Sequence, residues 1–390
     1  MKKGFIEAIE DEEVTVLFED NSKKIFRIRD LPTDFHLDDI VWEEDGILFK
    51  KGKDDTLLTD IKKLAKKTMV GIDKKPLRLG IVGPGKIAHT VCTHLKDFPQ
   101  FKMEAVASRE IDRAISFQKQ FGFRKAYQGY EALLADPDID LVYIATPHAF
   151  HYEQMKQAIA YKKNILCEKA FCLELDQVKE IYELAKKEQV FVGEALVPAF
   201  LPGMRVIENI IQAGKIGKIT HAKAVFGANI KSVLRVIQKE LGGGAMYDIG
   251  IYPLYFIYYL FGKQVRIQNK LIKWEKAVDV KAQFQMQYAH MDADIIVSVE
   301  EDLGMYAVLD GTGGSMHIEN VARPEKLIIY NTNNEIVETI DPLRSTSGYE
   351  FEFLAAKEAI SKKQIETDFF THQDGIELYS LLLEVLNNKD

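Results

Sequence analysis

The sequence predicts an α/β domain with a doubly wound parallel sheet, preceded by a small β-rich domain and followed by an α+β domain with a large, mostly antiparallel open sheet. Three observations lead to this fold class. The chain has 390 residues, more than the ~250–300 at which a single hydrophobic core stops growing. Short apolar strands alternate with helical patterns between residues 77 and 195. Longer strands of alternating hydrophobicity follow from about residue 218.

The first 70 residues contain five short strand patterns, enough to close into a small barrel. Asp54 and Asp55 then suit the N-terminus of one helix. We assign residues 71–76 to a linker, residues 77–195 to the α/β domain and residues 196–390 to the α+β domain. The last helix is a candidate to pack back onto the α/β domain.

Repeated strand–helix units predict the parallel sheet, because parallel neighbours need a crossover connection. Its strands are predicted at residues 78–82, 101–107, 141–145, 164–167 and 190–192, with helices from about residue 87 and at residues 111–121, 152–161 and 176–188. The later domain is predicted to have strands at residues 219–230, 265–274, 278–288, 291–299 and 326–332, and a final helix at residues 374–387.

Composition and charge exclude several classes of protein. The chain is 47% hydrophobic and 28% charged, and its longest apolar run, residues 251–261, is far shorter than the ~20 residues of a membrane helix. The net charge of −8 argues against nucleic acid as the main partner. The three cysteines, Cys92, Cys167 and Cys172, are too few for a disulfide framework, and the N-terminus has no signal-peptide pattern. We therefore expect a cytoplasmic protein without membrane contact.

The most specific local motif is Gly-Pro-Gly-Lys-Ile-Ala at residues 83–88, between a predicted strand and a predicted helix. Glycine permits a tight turn and close approach to a pyrophosphate, a small third residue lets helix and strand pack, and the helix N-terminus attracts the anion. The alternative, an ordinary βα turn, would not need two glycines and a small third residue. We predict a Rossmann dinucleotide site that includes Gly83, Gly85, Lys86 and Ile87.

The end of the second strand indicates which dinucleotide binds. An NAD site normally has an Asp or Glu there, whose carboxylate accepts from the ribose 2′-hydroxyl. This chain has Ser108 and Arg109. Because a guanidinium favours a 2′-phosphate, we predict NADP(H), with NAD as the alternative cofactor. Arg109 as a solvent-facing turn residue is the competing interpretation.

Several stretches together resemble the glucose-fructose oxidoreductase/inositol dehydrogenase (Gfo/Idh/MocA) family. They are Tyr-Glu-Ala-Leu-Leu-Ala-Asp-Pro-Asp at residues 130–138, Ala-Thr-Pro-His-Ala-Phe-His at 145–151, Cys-Glu-Lys at 167–169, Gly-Glu-Ala at 193–195, Gly-Gly-Gly-Ala-Met-Tyr-Asp-Ile-Gly-Ile-Tyr-Pro at 242–253, and Gly-Thr-Gly-Gly at 311–314 with Arg-Pro-Glu-Lys-Leu at 323–327. The chain is most similar to the dihydrodiol/sugar dehydrogenase branch, because Tyr252, and not a histidine, follows Asp248 by four residues. Residues 1–70 resemble a small β-rich domain of unknown function.

Glu168 and Lys169 follow an apolar strand, and open α/β sheets bind ligands at the carboxyl ends of their strands. A partly desolvated lysine at that place has a lowered pKa and can donate or accept a proton, whereas a lysine considered alone is usually a surface residue. The resemblance implies that Lys169 contacts substrate and cofactor and that Glu168 contacts the nicotinamide ribose. It also implies that Thr146, Pro147 and His151 lie at the cofactor.

Asp248 and Tyr252 are spaced i, i+4, so on a helix they face the same way, about 5–6 Å apart. A phenol passes a proton to or from a substrate oxygen, and a carboxylate orients a sugar-like hydroxyl. We predict these two residues, with Lys169, as catalytic. The alternative is a buried aromatic side chain and a helix-capping Asp. The later tyrosines of this segment are better core candidates: Tyr255, Tyr258 and Tyr259.

His148 and His151 are three residues apart, which could indicate a metal pair. No carboxylate or thiol has the short spacing that a metal site usually shows, and hydride transfer to a nicotinamide needs no metal. We therefore predict no metal site.

Two departures from the family pattern affect the predicted site. The family usually continues Glu-Lys-Pro, and this chain has Ala170. Because a cis peptide bond before a non-proline residue costs ~2.5–4 kcal/mol, this difference leaves two alternatives open: a cis bond as in the family, or a trans bond with a displaced Lys169. The family's dehydrogenases also often have an arginine after Glu-Ala, but Glu194-Ala195 is followed by Leu-Val-Pro-Ala-Phe-Leu-Pro. This difference leaves the substrate class open.

The resemblance implies an NADP(H)-dependent oxidoreductase that transfers a hydride between nicotinamide and a secondary alcohol or ketone of a carbohydrate, polyol or dihydrodiol. Lys169 and Tyr252 would manage the hydroxyl proton, and Asp248 would orient the substrate. We expect a homodimer or homotetramer formed through the C-terminal sheet, as the family forms. The alternatives are a non-catalytic protein that senses dinucleotide or sugar through its N-terminal module, and a structural partner that docks through its first 70 residues.

Overall fold

The structure is a computed structural model that describes residues 2–10, 13–18, 23–27, 40–44, 47–50, 75–96, 98–342 and 347–387. The chain divides into two compact units, one built from the N-terminal strands and one from the large remainder. The helix predicted after Asp55 and most of the predicted linker lie outside the described residues.

The N-terminal unit contains a five-stranded antiparallel sheet in the order β3-β2-β1-β4-β5. Its strands are β1 (Lys2–Glu10), β2 (Glu13–Phe18), β3 (Lys23–Arg27), β4 (Ile40–Glu44) and β5 (Ile47–Lys50). A barrel would require β3 to pair with β5. Among the described strands these two lie at opposite edges, so the sheet is open and the predicted barrel closure is not observed.

The second unit begins with a six-stranded parallel sheet in the order β11-β10-β9-β6-β7-β8, which confirms the predicted doubly wound fold. The strands are β6 (Leu77–Val82), β7 (Phe101–Ser108), β8 (Lys125–Gln128), β9 (Leu141–Ile144), β10 (Asn164–Glu168) and β11 (Val192–Ala195). β6, β9 and β10 are almost continuously apolar because helices cover both faces of the sheet. The strand order reverses between β6 and β9.

The helices of this sheet follow the predicted strand–helix alternation. They are α1 (Lys86–Leu95), α2 (Ile111–Phe121), α3 (Glu131–Ala135), α4 (His151–Ala160) and α5 (Leu175–Glu188). Their apolar faces pack on the sheet through fully buried side chains such as Val91, Met155 and Ile181. Among the described residues, no helix combines the length and apolar character needed to cross a membrane.

An eight-stranded sheet follows in the order β13-β14-β15-β12-β16-β17-β18-β19. Its strands are β12 (Ile219–Gly227), β13 (Arg266–Glu275), β14 (Val278–Gln287), β15 (Asp292–Ser298), β16 (Gly304–Gly311), β17 (Gly314–Glu319), β18 (Lys326–Asn331) and β19 (Ile336–Ile340). β12 and β15 pair in parallel and every other pair is antiparallel, which confirms a mostly antiparallel sheet.

Five further helices accompany this mixed sheet: α6 (Pro202–Gln212), α7 (Leu234–Ile237), α8 (Ile251–Phe261), α9 (Tyr349–Ser361) and α10 (His372–Leu386). The sequence did not predict α9, which packs onto the parallel sheet. The Phe353 ring lies 6.0 Å from Phe101 and 5.1 Å from Tyr143, measured between ring centroids. α10 contacts α5 at its first residue, where the His372 ring stacks 4.0 Å from Tyr182. Both helices join the C-terminal region to the parallel sheet.

Candidate active site

A cleft with a volume of about 690 Å³ runs along the carboxyl ends of the parallel strands. It lies where the strand order reverses, the place at which open α/β sheets bind their ligands. The cleft is lined by twelve of the thirteen predicted site residues: Gly83, Gly85, Lys86, Ile87, Ser108, Arg109, Thr146, Pro147, Glu168, Lys169, Asp248 and Tyr252. The remaining residue, His151, does not line the cleft.

The turn after β6 has the geometry of a phosphate cradle. Gly83 has a φ of +91°, and a Cβ atom there would lie 2.7 Å from Thr146 Cγ2 and 3.2 Å from the Ala145 carbonyl oxygen. Only glycine fits this position. α1 starts at Lys86 without a side-chain cap or a first-turn acid from the described residues, so its first N–H groups face the cleft without a side-chain acceptor. A pyrophosphate fits this turn because the N–H groups and the helix dipole both favour an anion.

Two arginines lie at the end of the cleft beside β7. Arg109 follows the buried Ser108, and Arg113 extends from the first turn of α2. Burial raises the pKa of Tyr130 and the charges of both arginines oppose that shift, so both guanidinium groups lie near this phenol. No Asp or Glu lines this end of the cleft in the part of the chain that the structure describes.

The loop after β9 forms the middle of the cleft. Thr146 and Pro147 line it, and the Thr146 hydroxyl donates to Gln154 Oε1 at 2.6 Å. His148 also lines the cleft, with its Nδ1 2.9 Å from the Gly242 carbonyl oxygen. Burial is the main cause that lowers the pKa of His148, so this ring is neutral near pH 7.

His151 occupies a different place from the one implied by the resemblance. Its ring is fully buried, with Nδ1 2.8 Å from the Ala170 carbonyl oxygen and Nε2 2.8 Å from the Thr146 carbonyl oxygen. It therefore holds together the loops that follow β9 and β10 and does not face the cleft. The reason is its position in the first turn of α4, on the side packed against the sheet.

The Lys169–Ala170 peptide bond is cis, so of the two alternatives for this loop the trans bond is wrong. Residues of two helices contact the loop around this bond. Ala170 is fully buried, and its carbonyl oxygen lies beside the ring of His151 on α4. The backbone N–H of Phe171 donates to the hydroxyl of Tyr379 on α10.

Lys169 and Arg235 both contact the carboxylate of Asp248. Lys169 Nζ donates to the backbone carbonyl of Asp248 and lies 3.5 Å from the carboxylate oxygen Oδ1 of Asp248. Arg235 Nη1 lies 2.5 Å from the same Oδ1. Burial by itself would raise the pKa of Asp248, but the charges of Lys169 and Arg235 outweigh it and hold that pKa below its ordinary value. Asp248 is therefore ionised at neutral pH.

Glu168 lies directly beside this cluster at the end of β10. Its side chain is buried, and the Tyr143 hydroxyl donates to Oε1. Burial raises the pKa of Glu168, while the Tyr143 hydrogen bond and the Lys169 charge oppose the shift. This carboxyl group therefore takes up a proton at a higher pH than an exposed glutamate does.

The i, i+4 interpretation applies to two residues on one regular α-helix, and Asp248 and Tyr252 do not lie on one. Asp248 belongs to a π-helical turn, Met246–Gly250, that continues into α8. Asp279 Oδ2 accepts from the Met246 N–H at 2.7 Å and holds the start of this turn. π-helical turns are frequent at functional sites because they redirect side chains.

Tyr252 is half-buried, and its ring centroid lies 5.0 Å from Lys169 Nζ. Burial and then the Glu168 charge raise the pKa of Tyr252 well above its ordinary value. The phenol therefore keeps its proton at neutral pH and acts as a hydrogen-bond donor.

Sequence analysis missed several lining residues: Arg113, Tyr130, Val197, Ile230, Val233, Arg235, Leu241 and Tyr349. The sequence contained a clue to Arg113, because this second arginine follows Arg109 by four residues, in the first turn of the predicted helix. The sequence contained no such clue to Arg235 and Tyr349, because each reaches the cleft from a helix that was not predicted.

The phosphate cradle and the charged cluster around Lys169 open into one cleft, which is the arrangement of a nicotinamide-dependent oxidoreductase. Residues 77–195 match the model of the oxidoreductase family with an NAD-binding Rossmann fold, and residues 204–317 match the GFO/IDH/MocA C-terminal domain. The chain belongs to the GFO/IDH/MocA family of oxidoreductases and is an NAD(P)-dependent enzyme.

Curated relatives include the trans-1,2-dihydrobenzene-1,2-diol dehydrogenases of Danio rerio and Xenopus tropicalis. The first is 34% identical over 62% of this chain and 74% of its own length. The second is 30% identical over 79% of this chain and 96% of its own length. Among solved structures, a 3-ketoreductase from Actinomadura kijaniata in complex with NADP and TDP-benzene has a TM-score of 0.74 at 24% identity, covering 80% of this chain and 97% of its own. At this identity the structural likeness shows the shared fold.

Proposed function

We propose that the chain is an NADP(H)-dependent dehydrogenase or reductase that interconverts a secondary alcohol and a ketone on a carbohydrate, polyol or dihydrodiol. The continuous cleft from the Gly83 turn to Lys169 and Tyr252 carries this proposal. When bound, the nicotinamide supplies the hydride acceptor or donor. The names of the relatives support the substrate class, since they specify a trans-dihydrodiol. A neighbour of the same fold is a levoglucosan dehydrogenase, with a TM-score of 0.70 at 18% identity over 80% of this chain and 96% of its own.

Arg109 and Arg113 support NADP as the preferred cofactor. Two guanidinium groups beside β7, with no acid lining that end among the described residues, favour a 2′-phosphate over a free 2′-hydroxyl. The fold itself does not decide this choice, because neighbours of the same fold were solved with NADP and with NADH.

Lys169 and Tyr252 supply two donors for the reacting oxygen. In the reduction direction one of these groups gives its proton to the ketone oxygen while the carbon accepts a hydride. In the oxidation direction the deprotonated form of the same group takes the alcohol proton while the carbon loses the hydride. The protonated Tyr252 phenol and the Lys169 ammonium group both suit a hydrogen bond to that oxygen. Asp248 Oδ2 accepts no hydrogen bond from the described residues, so it suits a neighbouring substrate hydroxyl.

We also propose that the chain self-associates through the mixed sheet. Along β14, Ala282, Phe284 and Met286 are buried, while Gln283 and Gln287 on the other face are exposed. One face of the sheet is thus available for a second copy, and sedimentation velocity on the purified protein measures the resulting oligomer.

Substitution of the two arginines tests the cofactor assignment. For Arg109→Gln and Arg113→Gln we expect the KM for NADP to rise about 10–100-fold, which corresponds to the loss of one charge-assisted hydrogen bond. The KM for NAD should change by less than about threefold, because NAD has no 2′-phosphate. Lys119→Gln is the matched control, since Lys119 is a cation on α2 that does not line the cleft. The assay is steady-state turnover with trans-dihydrobenzenediol and levoglucosan.

Equal effects on NADP and NAD would contradict the NADP assignment and leave the oxidoreductase proposal standing. Absence of NADPH binding by fluorescence titration would overturn the proposed function as a whole.

A further inference from the structure

Arg235 is a cation that the sequence did not single out. It lies on the short helix α7 and lines the cleft beside Asp248. Its side chain is 46% exposed, whereas that of Asp248 is 3% exposed. Arg235 therefore connects the buried carboxylate to the open part of the cleft.

Cations and acids pair with each other at this end of the cleft. Lys169 and Arg235 both contact Asp248 Oδ1. Glu168 is the other acid that lines the cleft among the described residues, and the charges of Lys169 and Arg235 both act on it. Two cations thus face two carboxyl groups beside the place of the reacting oxygen.

The guanidinium of Arg235 also has unused donors. Its Nη1 donates to Asp248, and no other hydrogen bond from this guanidinium occurs within the described residues. A guanidinium presents five N–H groups in a planar fork that matches an oxyanion. Ile230, Val233 and Leu241, which are close to Arg235 in the chain, also line the cleft and carry no polar side chain.

We propose that Arg235 makes the substrate end selective for hydroxy acids, binding a carboxylate of the substrate while Lys169 and Tyr252 hold the reacting hydroxyl. This inference rests on the proposed function. Asp248 and Glu168 line the same end of the cleft and repel a doubly charged phosphate more strongly than a singly charged carboxylate, so a carboxylate is favoured over a phosphate. Arg235 would thereby supply the cation that is missing after Glu194-Ala195.

Equilibrium binding to the NADP-saturated protein tests this assignment without requiring turnover. Isothermal titration compares glucose with glucuronate and galactose with galacturonate, pairs that differ by one carboxylate. We expect each acid to bind about tenfold more tightly than its neutral partner in the native protein. The preference should disappear in Arg235→Gln and be partly kept in Arg235→Lys, which keeps the charge and loses the fork.

Lys231→Gln is the matched control. Lys231 is a cation four residues before Arg235 that pairs with Glu275 and Glu300 and does not line the cleft. This variant should keep the preference for the acid. NADPH titration of every variant verifies that the fold and the cofactor end are intact.

Equal or weaker binding of the acids, including no binding of any of the four sugars, would overturn the assignment, as would a preference that persists in Arg235→Gln. Tighter binding of glucose 6-phosphate than of glucuronate would replace the carboxylate with a phosphate. Failure of NADPH to bind would instead count against the proposed function.

Discussion

At the cofactor end of the cleft, the binding groups follow one another in the chain, and at the substrate end they do not. Gly83, Gly85 and the first turn of α1 are consecutive; the glycine turn leaves room for a phosphate, and the N–H groups of the first turn of α1 complete the phosphate cradle. Lys169 and Asp248 come from separate segments, and side-chain charges hold them together. The first end depends on backbone shape and the second on charge pairing.

This difference has a physical consequence. A backbone cradle is disturbed by added volume, because a Cβ atom has no room there. A charged cluster is disturbed by removal of a charge, because the partner left behind is buried and uncompensated. The two ends should therefore respond to different kinds of substitution.

The largest effect is expected for Lys169→Met at the substrate end. Loss of the ammonium group removes a donor to the reacting oxygen and one of the two cations on Asp248. We expect kcat to fall by ~10²–10⁴, the range for a lost acid–base group, while the NADPH dissociation constant changes less than about threefold. Stopped-flow turnover and NADPH fluorescence measure the two quantities.

Lys179→Met is the control for this substitution, since Lys179 is half-exposed on α5, outside the cleft lining. If kcat of Lys169→Met stayed within about threefold of native, the substrate end would not depend on this charge.

An intermediate effect is expected for Gly83→Ala at the cofactor end. The added methyl group meets Thr146 Cγ2 at 2.7 Å on a backbone with positive φ. A cost of about 1–3 kcal/mol predicts NADPH binding weaker by roughly 5–150-fold, with a smaller change of kcat at saturating cofactor. Fluorescence titration with NADPH measures this loss.

Gly122→Ala separates the clash from backbone strain. Gly122 also has a positive φ, +74°, but a Cβ atom there meets nothing within 4 Å. We expect it to lose some thermal stability and to keep NADPH affinity. Equal loss of affinity in both variants would show that the clash at the cradle is not the cause.

The smallest effect is expected for Glu194→Gln, beneath the substrate end. Glu194 is 1% exposed, its Oε1 accepts from the Tyr379 hydroxyl at 2.9 Å, and its Oε2 has no hydrogen-bond partner among the described residues. Burial raises the pKa of Glu194 to about 8 from an ordinary value of 4.5. Between these two pH values the unfolded chain is ionised and the folded protein holds the proton, so this group makes stability fall as pH rises.

Glutamine cannot ionise, so Glu194→Gln should lose part of this pH dependence. Relative to the native protein, its Tm should improve by a few °C on going from about pH 5 to about pH 8. Thermal denaturation at the two pH values measures it. Glu183→Gln, an exposed position on α5, should track the native protein. Parallel pH curves for all three proteins would contradict the raised pKa.

Local patterns predicted five strands of the six-stranded parallel sheet and the cofactor end, whereas the edge strand β8 was not predicted. The strand–turn–helix unit around Gly83 is one continuous segment, and its glycines are required by the turn itself. The position of Arg109 was predicted for the same reason, since it directly follows β7.

Long-range contacts explain where prediction failed. The Lys169–Ala170 bond is cis, and the loop around it contacts His151 and Tyr379. No local sequence pattern reveals these contacts. The π-helical turn at Asp248 is held by Asp279 on a strand of the mixed sheet.

The amino-acid sequence by itself determined the strand–helix alternation, the glycine turn and the cationic residue after β7, because each depends on neighbours within one or two elements. Only the tertiary structure decided which side chains share the substrate end. Arg235 and Tyr349 reach the cleft through the packing of α7 and α9. His151 is turned away from it because its two ring nitrogens meet buried carbonyl groups on two loops. Such contacts join residues far apart in the chain, so their geometry exists only after the layers have packed together.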